Sequence, residues 1–482
     1  MMAGLKDRRW LRWLDAGLCV AVLGGGVVAV ALHDGSTGPC GAADSESLAP
    51  REVLDCLGDD IAHVTTTLGS GSAVLLTDGR LLTNAHVVDP FAVVDVSFRD
   101  GLVVDDVPVI GVDLQRDVAV LGPIDREGGV ELADQAVVDG LGQGDDLFLV
   151  GYPGELETGV SDPTISQGIL SRVRVADRFG QTFLQTDAAI GGGQSGGALV
   201  DGAGHVVGLS GLSFADNFAL GLSSTDVAAG LAGIDAGQSG VYRPIDAASA
   251  TTTGTFTATG PQAPLILTVP PADVDQPVQV TFDRAGAPLV TVQDSTGQPL
   301  WLPPTLLREA SPEELDMDQG TYDRLRGSAG DNDAVASFTV PAGRFGVVLA
   351  ESLVGPEGAL TYTSSVPLSS FPDGDNGVPL TIGTRHEGAI ETFEALDTFT
   401  VDLAQGQALD VYLGAVAGDM VYWIYPVGGE PDEANIVDDS NEGLYGLDAH
   451  ETFTAPAAGA YVIEVSTYES ISVGYVLDAR PG

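Results

Sequence analysis

Three short stretches of the chain hold residue types that together can perform acyl transfer. The first is "GGGQSGGAL", residues 191–199, where Ser195 follows three glycines and precedes two more. Glycine supplies 64 of the 482 residues, so the cluster alone fits a mobile loop as well as an active corner. A serine attacks a carbonyl efficiently only when a base takes its proton, an acid orients that base and donors meet the oxyanion. His86 in "LLTNAHVVD" is the candidate base, and Asp117 in "DLQRDVAVL" the candidate orienting acid. Glycines before Ser195 admit backbone dihedrals that side chains forbid. The amides of Gly193 and Ser195 can then converge as an oxyanion hole, while Gly196 and Gly197 leave room for a substrate backbone.

The surrounding elements must make these positions rigid. "SAVLLTDGRLLT" places two apolar runs around Asp78-Gly79, a two-residue hairpin signal leading into His86. Asp117 opens a strand, Val118–Leu121, whereas Asp113 lies in the preceding turn and is expected to cap it. After Ser195, "ALVDGAGHVVGLSGL" reads as strand, turn and strand, which makes the glycine run a fixed corner. "FLVGYPG", "SQGILSRVRV" and "TFLQTDAAI" are further strands, and "SSTDVAAGLAGI" is a closing helix capped by Ser224 or Thr225. Many short strands with one late helix, from Val64 to about Ile234, indicate a β-barrel class domain. The ordinary alternatives are a surface or capping histidine, one of only six, and a solvated aspartate in a chain rich in acids.

The order His, Asp, Ser in "TNAHVV", "DVAVL" and "TDAAIGGGQSGGALV" resembles trypsin-like serine proteases of the chymotrypsin fold, and most the high-temperature-requirement, or Do-like, branch. The resemblance covers roughly residues 60–235. It implies two six-stranded β-barrels with the site between them, and catalytic roles for His86, Asp117 and Ser195. Gln194 departs from the more usual asparagine, and because the oxyanion donors are backbone amides little effect is expected. By the same analogy Ala189, Ile190 and the strand "GLSGL", with Leu209, Ser210 and Gly211, line the primary pocket. None is charged, so a charged substrate side chain would be desolvated there without a partner. The expectation is a small or medium aliphatic residue on the acyl side of the cut bond.

No PDZ-type carboxylate-binding loop follows. An internal repeat does: "ASFTVPAGRFGVVLAES" at 336–352 parallels "ETFTAPAAGAYVIEVST" at 451–467. The two units read as β-sandwiches over 250–368 and 374–482 and resemble bacterial pre-peptidase C-terminal domains. The expected fold is all-β: a double six-stranded barrel over 60–237, two sandwiches behind it and an N-terminal hydrophobic helix within 1–35. Residues 36–59 read as linker and lead-in helix.

Sixty-eight acidic against 20 basic residues give a formal charge of −48. Such a surface repels nucleic acid and anionic lipid, and it fits a salty habitat or a GC-rich genome about equally. Four basic residues, Lys6, Arg8, Arg9 and Arg12, precede an uncharged run from Ala16 to Leu32. This pattern reads as a membrane anchor with a cytoplasmic N-terminus, or as a cleaved export signal. Either places the remainder outside the cytoplasm, where Cys40 and Cys56 are a candidate disulfide. The mechanism requires no cofactor, and no DxDxDG-type loop suggests a metal. Protein or peptide substrates are the expected partners, with the membrane added if residues 16–32 are retained. Oligomeric state is left open. The competing readings are a catalytically silent protease-like scaffold that binds a surface partner through its sandwiches, and an esterase on the same machinery.

Overall fold

The computed structural model describes residues 39–40 and 47–482, apart from 67–68, 90, 155–161, 216–217, 239–240, 243–249, 258–264, 273, 285–288, 295–297, 313–314, 316, 329, 331, 352–358, 371–376, 391–395, 417, 430, 433–435, 444–446 and 469–471. The expected anchor, with its run 16–32, lies outside the described residues. No described helix is long and apolar enough to cross a membrane.

The lead-in is a short strap. Pro50 starts helix α1 (Pro50–Leu57), and the Glu52 carboxylate accepts the Ala49 amide at 2.8 Å. Cys40 and Cys56 are joined as a disulfide, and the Leu48 amide donates to Gly202 of the second barrel at 2.8 Å.

Six strands form the first barrel: β1 (Ile61–Thr65), β2 (Ser70–Leu75), β3 (Leu81–Thr83), β4 (Val93–Phe98), β5 (Val103–Asp113) and β6 (Val118–Leu121). Their order β5-β4-β1-β2-β3-β6 is closed by pairing of β5 with β6, which removes both edges. The second barrel closes as β10-β11-β12-β9-β8-β7, from β7 (Asp146–Gly151), β8 (Thr164–Ala176), β9 (Gln181–Thr186), β10 (Ala198–Asp201), β11 (Val206–Ala215) and β12 (Phe218–Ser223). Period-two alternation divides the first barrel's side chains between two cores. Ala62, Val64, Leu75, Ala119 and Leu121 fill its interior. Ile61, Val74, Leu82, Val118 and Val120 face the other way and pack with Phe148 and Val150 of the second barrel. The seam between the barrels is therefore lined by apolar packing, and the candidate residues lie along it.

Two local expectations change. The hairpin between β2 and β3 is a three-residue loop, because the Leu76 amide bonds to the Arg80 carbonyl at 2.8 Å and Gly79 adopts φ +84°. The closing helix (Ser224–Ala236) is capped by Ser223, whose hydroxyl accepts the Asp226 amide at 3.3 Å, and not by Ser224 or Thr225. Ser224 Oγ instead donates to the Ala133 carbonyl at 2.8 Å.

Beyond β13 (Val241–Tyr242), which adds to β5, the chain forms two further β units with matching strand neighbours, the first one eight-stranded sheet joined through its last strand and the second a four-stranded and a five-stranded sheet. The first holds β14 (Thr251–Thr257), β15 (Leu265–Val269), β16 (Gln276–Arg284), β17 (Leu289–Asp294), β18 (Pro299–Trp301), β19 (Val335–Val340), β20 (Gly346–Glu351) and β21 (Ala359–Ser370). The second holds β22 (Val378–Pro379), β23 (Arg385–Ile390), β24 (Leu396–Leu403), β25 (Ala408–Ala415), β26 (Met420–Pro426), β27 (Asp439–Glu442), β28 (Asp448–Thr454), β29 (Gly459–Thr467) and β30 (Val473–Pro481). The neighbours β14-β21-β16-β19 correspond to β23-β30-β25-β28, and β17-β20-β15 to β26-β29-β24. The units differ by an insertion in the first. Two helices, Leu306–Glu309 and Gln319–Ser328, pack Leu307 against Tyr322 and Leu325, so this unit is not purely β. The apolar residues there recur at helical spacing, Tyr322 three before Leu325.

Candidate active site

Thr83 ends β3, and the chain turns at once into the one-turn helix Ala85–Val88, which carries His86. Asp117 precedes β6 in a left-handed conformation, φ +52°, which aims its side chain back across the turn. One carboxylate oxygen accepts the His86 amide at 3.0 Å, and the other lies 2.7 Å from His86 Nδ1. Asn84 Nδ2 donates to the Asp117 carbonyl at 2.9 Å and holds the same turn from the other side. With the Nδ1 proton directed to Asp117, Nε2 is the nitrogen left to act as base. Burial disfavours the charged imidazole, but the charge and hydrogen bond of Asp117 outweigh it and raise the His86 pKa above 6.5. Asp113 instead holds its own turn, accepting the Arg116 amide at 3.2 Å and pairing with its guanidinium at 2.9 Å.

The serine loop is built around its amides. Gly193 has φ +86°, and a Cβ there would lie 2.3 Å from Gly154 N, so only glycine fits. The Gly192 carbonyl accepts the Gly154 amide at 2.6 Å. A trans peptide points its C=O and N–H in opposite directions, so the Gly193 N–H is turned away from Gly154. Neither that amide nor the Ser195 amide bonds to any described residue, which leaves both donors for a substrate oxygen. Gly196, at φ +82°, sits so close that a Cβ would be 2.1 Å from the Ser72 carbonyl and 2.3 Å from Thr83 Oγ1. The serine loop is thus pressed onto the strand that delivers His86. No hydrogen bond yet joins His86 Nε2 to Ser195; such bonds commonly tighten only when substrate binds.

Residues 69–209 match the family described as "Trypsin-like peptidase domain". The chain is 38% identical over 168 residues to the protein named "Putative serine protease HhoB" of Synechocystis sp., covering 32% of this chain and 37% of that protein. It is 36% identical over 151 residues to the serine endoprotease DegS of Escherichia coli K12, covering 31% of this chain and 40% of that protein. Among solved structures, the serine endoprotease from Yersinia pestis is 25% identical, covering 39% of this chain and 66% of that one, at a TM-score of 0.33 too low to support inference. Residues 69–209 are a trypsin-like peptidase domain. They resemble the HtrA branch, and the match spans less than half the length of those two relatives.

Within this peptidase domain the five expected pocket residues part company. Ala189 is exposed, its carbonyl accepting Ser166 Oγ at 2.6 Å. Ile190 is half-buried against Leu147, Leu149, Leu170 and Leu184. Ser210 Oγ donates to the Gln194 carbonyl at 2.6 Å, placing it under the serine loop. Gly211 lies beside Asn84, where a Cβ would be 2.9 Å from Nδ2. Leu209 is 1% exposed and turns into the barrel core with Val200, Leu220 and Leu222.

Two supporting residues escaped the sequence reading. Gln194 does more than occupy a variable position: its Oε1 accepts the Gly191 amide at 2.6 Å and its Nε2 donates to Thr164 Oγ1 at 2.9 Å. A shorter asparagine would not span both by the same path. Ser72, fully buried in β2, donates through Oγ to the Gly193 carbonyl and through its amide to the Ser195 carbonyl, both at 2.8 Å. It fixes the Gly193–Gln194 and Ser195–Gly196 peptides, which follow directly on the two unengaged amides. Nothing in "SGSAVLL" announces this, because its partners lie more than 120 residues away.

Proposed function

We propose that the chain is a serine endopeptidase acting outside the cytoplasm, built as a protease unit over 60–237 with sandwich units over 250–368 and 374–482. The observation that carries this reading is the Asp117 carboxylate gripping both the amide and Nδ1 of His86, opposite a serine loop with two unengaged amides. In this reading His86 Nε2 takes the Ser195 proton as Oγ attacks the peptide carbonyl. The amides of Gly193 and Ser195 hold the oxyanion, and Asp117 stabilises the imidazolium formed. His86 then protonates the leaving amine, and water repeats the sequence to release the acyl-enzyme. Ala189, Ile190, Ser210 and Gly211 bring no charge to the primary pocket, which supports preference for a small or medium aliphatic residue. The paired cysteines fit an oxidising compartment, and the basic flank before Ala16 fits export or anchoring.

A fluorophosphonate probe on the protein from about residue 36 onward, beside Ser195→Ala, tests the chemistry. Labelling of the wild type alone is expected; absence of labelling across a wide salt range would return the silent scaffold. A peptide library cut mainly after arginine or glutamate would remove the aliphatic preference.

A further inference from the structure

The loop that carries Asp117 is held from outside the two barrels. Gln115, two residues before Asp117, is 7% exposed. Its Nε2 donates to the carbonyls of Gly388 in β23 at 2.5 Å and Tyr475 in β30 at 3.0 Å. Its own carbonyl accepts Gln181 Nε2 of the second barrel at 2.7 Å. Beside it Gly474 meets the loop backbone so closely that a Cβ would lie 2.5 Å from the Leu114 carbonyl carbon. The base is reached from the same unit. Ser472 Oγ donates to the carboxylate of Asp89, three residues after His86 and 7% exposed. Around these contacts Tyr412, Val416 and Val476 join the barrel core, and the Arg178 guanidinium lies 3.7 Å above the Tyr412 ring.

We propose that the last sandwich is a built-in clamp for the catalytic dyad, and that Gln115 is the positioning residue through which it acts. The loop needs such support because Asp117 occupies a left-handed conformation that a non-glycine residue keeps only when its surroundings over-determine it. Arg116–Asp113 and Asn84 hold the turn from within the first barrel. Gln115 donates to carbonyls on two neighbouring strands, so its amide plane is fixed in direction as well as distance. A loop relaxed by even about 1 Å moves the carboxylate away from Nδ1, and misplacement on that scale can cost on the order of 100-fold in rate. The catalytic turn and the sandwich therefore fold into one mechanical unit, and a partner that pries the sandwich off would lower activity without touching the cleft.

The proposal rests on the serine endopeptidase reading, so one peptide-hydrolysis assay follows the full-length protein as wild type, Gln115→Met, Gly474→Ala and Ser472→Ala. Gln115→Met keeps the side-chain volume and deletes both donated bonds. The expected result is a fall in kcat of roughly 10- to 100-fold for Gln115→Met, with KM within about two-fold. The acid limb of its pH–rate profile should also move to lower pH, as His86 loses part of its contact with Asp117. Gly474→Ala should act in the same direction and Ser472→Ala more weakly. An active wild type whose variants keep both kcat and acid limb overturns the clamp. Variants that all fail to fold also overturn it, since the contact would then serve the fold alone. An inactive wild type overturns the endopeptidase reading instead.

Discussion

The peptidase domain contains two histidine–aspartate pairs of nearly the same geometry. Asp117 accepts the His86 amide at 3.0 Å and lies 2.7 Å from Nδ1; Asp201 accepts the His205 amide at 2.8 Å and lies 2.9 Å from Nδ1. Exposure does not separate them either: the side chains are 22% and 11% exposed in the first pair, 25% and 12% in the second. What differs is the work the carboxylate does and what lies beyond the ring. Asp201 is local glue, also accepting the Ala203 amide at 2.9 Å in a turn where Gly204 has φ +91°. That turn backs onto the lead-in strap, where a Cβ on Gly204 would be 2.5 Å from Cys40 Sγ. Asp117 reaches across 31 residues to tie two strands of a barrel, and the strand carrying His86 is pressed onto the serine loop. The proposed chemistry therefore rests less on the histidine–aspartate contact, which both pairs share, than on the serine corner beside the first pair.

The sharpest way to break this comparison is to remove both acids in turn. Asp117→Asn should lower kcat by about 10⁴-fold, since the wrong tautomer would leave Nε2 protonated. Asp201→Asn should leave kcat within about two-fold and cost on the order of 1 kcal/mol of stability for its lost turn bonds. Steady-state hydrolysis of a quenched peptide, with a thermal melt, separates the two. Similar rate losses in both variants would show that the second pair also matters to catalysis.

Ser72→Ala probes the amide corner itself. Loss of its bond to the Gly193 carbonyl should loosen the Gly193–Gln194 peptide, which follows directly on the Gly193 amide, with an expected fall in kcat of roughly 10- to 100-fold and little change in KM. An unchanged kcat would mean that the Gly154–Gly192 bond orients the Gly192–Gly193 peptide without help from its neighbour. On the strap side, Cys40→Ser with Cys56→Ser opens the disulfide at a sequence separation of 16. About 3 kcal/mol of stability should go with it, visible in denaturant midpoint, while kcat stays near wild type. A large kcat loss would instead link the strap to the serine site.

Much of the candidate site could be read from the sequence because the candidate side chains sit in local contexts of their own. Ser195 stands among glycines, His86 follows a strand and Asp117 opens one. What escaped acts through backbone groups far away in the chain. Ser72 and Gln194 bond to carbonyls and amides of the serine loop, and Gln115 to carbonyls of a unit more than 270 residues on. Such contacts leave no periodicity or spacing. The role expected of Leu209 failed on strand parity. Ser210 faces the serine loop, so its neighbour faces the core, and a register shift between Ser210 and Leu212 hides that alternation. The repeat was visible in its strand pattern, whereas the two inserted helices, Leu306–Glu309 and Gln319–Ser328, were not, because one unit has them and the described residues of the other lack them.

The smallest expected effect concerns protons. Hydrolysis needs neutral His86, so kcat/KM should rise with pH through its pKa, and Asp117 places that rise above 6.5 despite the opposing effect of burial. Stability runs the other way. A histidine whose pKa is raised on folding adds stability fully present below the unfolded value near 6.5, and lost as pH climbs through the folded value. In that window the enzyme should gain rate while its melting temperature falls slightly. His205→Asn should leave the rate limb where it is. The Asp117 carboxylate is mostly buried beside the ring, so molar salt should screen the pair weakly while it relieves repulsion among exposed acids. A limb that collapses to 6.5 in high salt, with the melting temperature unmoved, would mean that the raised pKa belongs to the −48 surface as a whole and not to Asp117.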